Sequence, residues 1–242
     1  MRRNEKVILY LLLYVDDILM ERLNDEFEMK DLGNAKRILG RVIIRDRNKG
    51  EFFLSQQGYL RKVVEGFRMK DSEVVGTPFG HHTKLSIKQC PRSIEEKSNM
   101  EGTPYTSGVG SIMYGMVCSR PNLSYAISVI SRFMENLGQV HSQALKWVMR
   151  YLNETLKGGM KYIRSQPERD ALEVYVDADY EGNVDTRKYL SGFLCTLFST
   201  AVTWNTNQQL VVAVSTTQAD YISLGEGVNE AIWLKGSTKP YG

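Results

Sequence analysis

An α+β fold in three successive parts is what this sequence predicts, and three observations carry it. Strand-like segments flank a turn within residues 38–54. Three amphipathic helical patterns follow in 105–155, and apolar/polar alternation returns at 172–177. Length and composition agree: 242 residues, 42 % hydrophobic and 24 % charged, suit one large folded domain or two modest ones. The net charge of +3 neither requires nor excludes a nucleic-acid partner. Cys90, Cys118 and Cys195 are scattered, with no CxxC pair. Neither a zinc site nor a disulfide framework is expected, and a reducing compartment is the default.

The segment Val7 to Met20 sets Asp16 and Asp17 inside the apolar run LLLYVDDILM. Two readings stay open: short strands turning at the acids, or a buried helix or strand that ends at them. Basic residues before this run give it a superficial likeness to a signal peptide. The acids interrupt it, no small-residue cleavage site follows, and it is too short and too charged to cross a bilayer. No targeting signal and no membrane partner are expected.

Ile38–Ile44 and Glu51–Leu54 predict strands around the turn Asn48-Lys49-Gly50. Tyr59, Leu60, Val63, Val64 and Phe67 then fall at helical spacing. Residues 76–99 lose periodicity and contain Pro78, Gly80 and Pro91, which predicts a linker or long loop. His81 and His82 in it have no spaced partner ligand, so they read as solvated rather than metal-binding.

Helices are expected over Tyr105–Cys118, with the stripe Val109, Ile112, Met113, Met116 and Val117, and from Pro121 onward, with Leu123, Ala126, Ile127, Ile130 and Phe133. A third runs from about His141 to Thr155, presents Leu145, Val148 and Leu152, and stops at Gly158-Gly159. Arg120, Arg132, Lys146, Arg150 and Lys157 accompany these helices, either as a solvated face or as a groove following a phosphate backbone. LEVYVDADY alternates, with Leu172, Val174 and Val176 on one side and Glu173, Tyr175 and Asp177 on the other. SGFLCTLF and AVTWNTN read as further strands, and VVAVS as a short apolar run. A final helix begins at STTQADY, with Ser215, Thr216 or Thr217 as N-cap and Gly225 and Gly227 weakening its middle.

The blocks YVDDILM, FEMKDLGNAKRILG, LSQQGYLRKVVEGFRM, YTSGVGSIMYGMVCSRPNLSYAISVISRFM, HSQALKWVMRYL, VDADYEGNVDTRKYLSGF and STTQADYISLGEGVNEAIWL occur in one order. In that order they resemble Ty1/copia-type retrotransposon Pol polyproteins, where reverse transcriptase runs into RNase H. The resemblance covers about Val7 to Lys235. It implies a partial polymerase palm at 1–78, a linker at 79–103, a helical thumb or connection at 104–166 and a truncated RNase H-like α/β sheet at 167–242.

The resemblance also implies chemistry. Asp16 and Asp17 match the paired palm aspartates that hold two Mg2+ ions, with Tyr14 and Val15 near the primer terminus. Two-metal phosphoryl transfer needs carboxylates that fix cations about 3.5–4 Å apart. Asp177 matches the first RNase H metal ligand, and Asp220 occupies the position of the second acid. The family block is expected as STTEAEY, so Gln218 stands for a glutamate and Asp220 for a longer one. Asp179 faces the same side as Asp177 and is a weaker candidate. The implied partners are an RNA template, a DNA primer, dNTPs and an RNA–DNA hybrid, in an intracellular setting, either cytoplasmic (in a virus-like particle) or nuclear.

Three departures set a further expectation. The upstream palm aspartate of the family has no counterpart here. Only residues 17–27 separate the YVDD block from the FEMKDLG block, so most of the intervening helix is missing. The family's later DNQ strand is not found beyond STTQADY. The expectation is a truncated or degenerate copy that is inactive as this chain, with an apolar RNase H sheet face left exposed. The alternative is a non-catalytic nucleic-acid-binding remnant.

Overall fold

The computed structural model describes residues 36–38, 40–80, 83–163, 172–179, 183–197 and 200–237. Tyr14, Val15, Asp16, Asp17, His81 and His82 lie outside the described residues. The fold is mixed helix and sheet, as expected. β1 (Arg37–Ile38), β2 (Arg41–Asp46) and β3 (Glu51–Ser55) form antiparallel hairpins. The strand read from Ile38 to Ile44 is broken in two, because Gly40 takes a left-handed φ of 71° and turns the chain there. Between β2 and β3, the Asp46 carboxylate accepts the Asn48 and Lys49 N–H groups at 3.1 Å each. Gly50 completes the turn with a φ of 63°.

α1 (Gln57–Gly66) buries Leu60, Val63 and Val64, as its spacing predicts. The stretch read as a loop is more ordered than that. It holds a 3₁₀ turn at Ile87–Gln89 and a short helix, α2 (Ile94–Met100), started by a Ser93/Glu96 capping box. It also sends Phe79, Leu85 and Cys90 into the main core.

α3 (Tyr105–Ser119) buries Val109 and Ile112 of the stripe expected of it but leaves Met113 and Val117 exposed, Val117 at 60 %. The contact face also runs through Gly108 and Gly115. A Cβ on Gly115 would come within 2.7 Å of Leu60, and one on Gly108 within 2.8 Å of Leu145. Periodicity of apolar side chains overlooks a face whose contacts are made by missing side chains. After a 3₁₀ turn at Pro121–Leu123, α4 (Ser124–Ile130) buries Ala126, Ile127 and Ile130. A second 3₁₀ turn then buries Phe133. The buried Tyr105 hydroxyl donates to the Ile130 carbonyl at 2.8 Å, locking α3 to α4.

α5 (Gln139–Glu154) buries Leu145, Val148 and Leu152. At its start the Gly138 N–H donates to His141 Nδ1 at 2.8 Å, and the imidazole stacks on Phe133 with 3.9 Å between ring centroids. Burial pushes His141 below its ordinary pKa, against smaller opposing effects of the Ser86 backbone and Asp185. The neutral ring is therefore the folded form, and its bare Nδ1 is what accepts the cap hydrogen bond.

Gly158-Gly159 is more than a helix stop. Gly159 opens β4 (Gly159–Ile163), a strand the sequence reading missed, which pairs antiparallel with β3. The first sheet is ordered β1-β2-β3-β4. β5 (Leu172–Asp179), β6 (Leu190–Leu197) and β7 (Thr200–Gln208) form a second antiparallel sheet, with a bulge at Cys195/Thr196. The sheets meet where the Tyr162 hydroxyl donates to the Ala201 carbonyl at 3.1 Å and Trp204 packs on Ile43, Leu54 and Met160. Leu190 inserts into the helical core from the other side. The VVAVS run is an irregular connection in which only Ala213 is buried.

α6 (Thr216–Ser237) lies on the second sheet. It runs unbroken through Gly225 and Gly227. A Cβ at Gly227 would press on Val174 and Val176, so glycine is what lets the helix sit this close. α6 thus covers the face of the second sheet that carries Val174 and Val176. Exposed apolar side chains around this sheet include Tyr221, Leu224, Val228 and Ile232 of α6, Leu210 and Val214 just before it, and Tyr175 on β5.

Two stability predictions follow from this packing. A Cβ at Gly159 would run into the Leu54 carbonyl and the Phe53 ring. Gly159→Ala should cost about 1–3 kcal/mol in chemical denaturation, and an unchanged midpoint would contradict the packing described. Because the His141 pKa is depressed on folding, its contribution is complete above about pH 6.5 and is lost as pH falls below that value. Wild type should therefore lose stability faster than His141→Gln between about pH 7 and pH 5. Parallel pH–stability curves would show that His141 does not titrate this way.

Candidate functional site

β5 alternates as its sequence predicts, and the two sides of the sheet have different neighbours. Val174 and Val176 face α6, as the Gly227 contact shows. Asp177 and Asp179 belong to the opposite face by alternation. Asp177 is exposed there. Asp179 is half-buried and accepts a hydrogen bond from the Tyr125 hydroxyl of α4 at 3.0 Å. Burial first, and the Asp179 carboxylate second, push the Tyr125 phenol up to about 12. Tyr125 therefore stays protonated and donates. Arg132 lies within electrostatic reach of Tyr125, Asp179 and Asp185. Asp185 itself accepts from Ser86 Oγ at 2.6 Å and from the Ile87 N–H at 2.8 Å. These carboxylates dock the second sheet onto the helical segment and the loop before it.

Asp220 is exposed on the second turn of α6. Gln218 has a role the sequence reading did not assign. Ser215 is the N-cap, with its Oγ accepting the Gln218 N–H at 3.1 Å, and Gln218 Oε1 accepts the Val214 N–H at 2.8 Å. This is nearly a capping box, displaced by one residue. The S-T-T-Q spacing carried that signal. Beneath the helix, Gln209 Nε2 donates to Ser191 Oγ and to the Ala219 carbonyl, both at 2.9 Å.

Among the described residues, no group of three or more His, Cys, Asp or Glu stands close enough to hold a metal ion. Asp177 and Asp220 therefore gain no third carboxylate, and the described residues do not fit a two-magnesium centre. The basic residues also separate. Arg120 is buried and donates to the Thr155 carbonyl at the end of α5, Arg150 is half-buried, and Lys146 and Lys157 are exposed. They do not make one uniform basic face.

No protein-family profile matches the chain. No solved structure matches it either. Among curated proteins, it is 44 % identical over 246 aligned positions to the retrovirus-related Pol polyprotein from transposon TNT 1-94 of Nicotiana tabacum. That match takes in 97 % of this chain and 18 % of the tobacco protein. It is 31 % identical to the putative transposon Ty5-1 protein of Saccharomyces cerevisiae, over 92 % of this chain and 73 % of that protein. The chain belongs to the Ty1/copia-type retrotransposon Pol family. A further relative, secreted RxLR effector protein 161 of Plasmopara viticola, is 41 % identical over 58 % of this chain and 97 % of its own length. This member of the Pol family thus spans under a fifth of the tobacco polyprotein. No helix among its described residues is long and apolar enough to cross a membrane.

The docking contact gives a direct test. Tyr125→Phe should lower stability by about 0.5–1.5 kcal/mol, the worth of an ordinary hydrogen bond. A Tm equal to wild type would mean that Asp179 is held by other contacts.

Proposed function

We propose that this chain is the stretch of a copia-type Pol polyprotein in which RNA-directed DNA polymerase passes into RNase H, and that alone it catalyses neither reaction. The observation that carries the first half is collinear similarity to the tobacco polyprotein over 97 % of the chain. On this reading 1–78 is palm remnant, 79–103 linker, 104–166 thumb or connection and 167–242 RNase H-like. Its ancestral partners are an RNA template, a DNA primer, dNTPs and RNA–DNA hybrid, and its setting is intracellular.

The second half is supported by the dispersal of carboxylates. Magnesium in this family supplies Lewis-acid stabilisation and an activated hydroxyl. The inherited ligand positions are Asp16, Asp17, Asp177 and Asp220. Among the described residues, Asp177 and Asp220 gather no third acid. What these residues do in the fold is different: Asp177 stands exposed on β5, and its neighbour Asp179 is engaged with Tyr125.

Purified chain with magnesium should extend no primer on an RNA template and cleave no RNA–DNA hybrid. Extension abolished by Asp16→Ala with Asp17→Ala, or cleavage abolished by Asp177→Asn, would overturn the inactive reading.

A further inference from the structure

Arg120 is the least expected side chain of the helical segment, because it is a guanidinium only 4 % exposed. Its Nη1 donates to the Thr155 carbonyl at 2.8 Å, its Nη2 to Thr155 Oγ1 at 2.6 Å, and its Nε to Asn122 Oδ1 at 3.2 Å. That uses three of the five N–H donors a guanidinium offers, and the Tyr151 hydroxyl hydrogen-bonds to it as well. Among the described residues no carboxylate pairs with it; the ion pairs there are Lys49–Asp46 and Lys161–Glu51. The end of α5 offers only a partial negative charge. A buried cation costs free energy unless it is paired, so this one is under-compensated.

Arg120 also borders a cleft of about 460 Å³ where the end of α5, the start of β4 and the start of β7 come together. Asn122, Tyr151, Thr155, Lys161 and Thr200 line it with Arg120, and no acid is among the described lining residues. Lys161 sits on the rim, 2.7 Å from Glu51, with about half of its side chain exposed. The Tyr151 ring lies beside the guanidinium, at 5.9 Å from ring centroid to Cζ. A buried guanidinium charge with spare N–H capacity, a second cation and an aromatic face suit a phosphate with its attached sugar or base.

We propose that this cleft is an anion site that takes a backbone phosphate of a nucleic-acid strand, with Arg120 and Lys161 as its cations. The choice of a strand rests on the Pol reading above; the anion site rests on the cleft alone. An incoming phosphate takes Lys161 from Glu51, so the two rim residues have opposite effects.

The test uses the full chain, a fluorescently labelled RNA–DNA hybrid titrated from about 50 to 200 mM salt, and thermal melts with inorganic phosphate. Arg120 also braces the end of α5, so the rim variants are primary. Lys161→Gln should weaken hybrid binding about three- to tenfold and lower the salt slope by about one, while Glu51→Gln tightens it. Arg120→Lys, checked by circular dichroism for an intact fold, should weaken it further by moving the cation and losing the spare N–H. Wild-type affinity and slope in both rim variants would overturn the site and leave the Pol reading standing. If wild type binds no hybrid at low salt, the strand is wrong and phosphate decides. A Tm raised by phosphate in wild type but not in Lys161→Gln supports an anion site; no rise overturns it.

Discussion

The approach of β4 to β3 is the constraint on which the rest of the structure depends. At residue 159 the two backbones leave no room for a Cβ, because the Leu54 carbonyl and the Phe53 ring occupy its place. Through that contact the chain leaving α5 is held against the first sheet, and Met160 joins Ile43 and Leu54 in a small core. Trp204 of β7 closes over the same core. Arg120 braces the end of α5 just before the strand begins. Two sheets and the helices between them are thus fixed relative to one another by a short strand whose own side chains contribute little burial.

Much of this was legible beforehand, where one kind of signal sufficed. The β2–β3 hairpin, α1 and the Leu123-to-Phe133 stripe follow from periodicity and turn chemistry alone. β4 was not legible, since GMKYI is short and its burial pattern rests on pairing with a strand a hundred residues earlier. The contact face of α3 was misjudged for a related reason: glycines at 108 and 115 carry no hydropathy, yet they decide where Leu60 and Leu145 fit. The stretch 76–99 read as a linker or long loop because Phe79, Leu85 and Cys90, buried without a period, leave no pattern. Long-range pairing and close approach are properties of two segments, and a local window sees only one.

The candidate acids divide in the same way. The side of β5 on which Asp177 lies followed from alternation, and so did the company of Asp179 on that side. That Asp179 answers to Tyr125, and Asp185 to Ser86, required knowing which helix and which loop arrive there. The unneutralised guanidinium of Arg120 had no sequence signal beyond its place before Pro121. Burial, not residue type, makes it chemically noteworthy.

The start of α6 has a consequence for how such a sequence ages. The cap at Ser215 asks position 218 for one accepting oxygen, which an amide and a carboxylate supply equally well. An exchange of Glu for Gln there changes the charge while leaving the helix anchored. Exposed Asp220 nearby likewise has no hydrogen bond that packing needs. The letters from which chemistry would be inferred are therefore among the cheapest for the fold to lose, and shape outlasts reactivity as mutations accumulate.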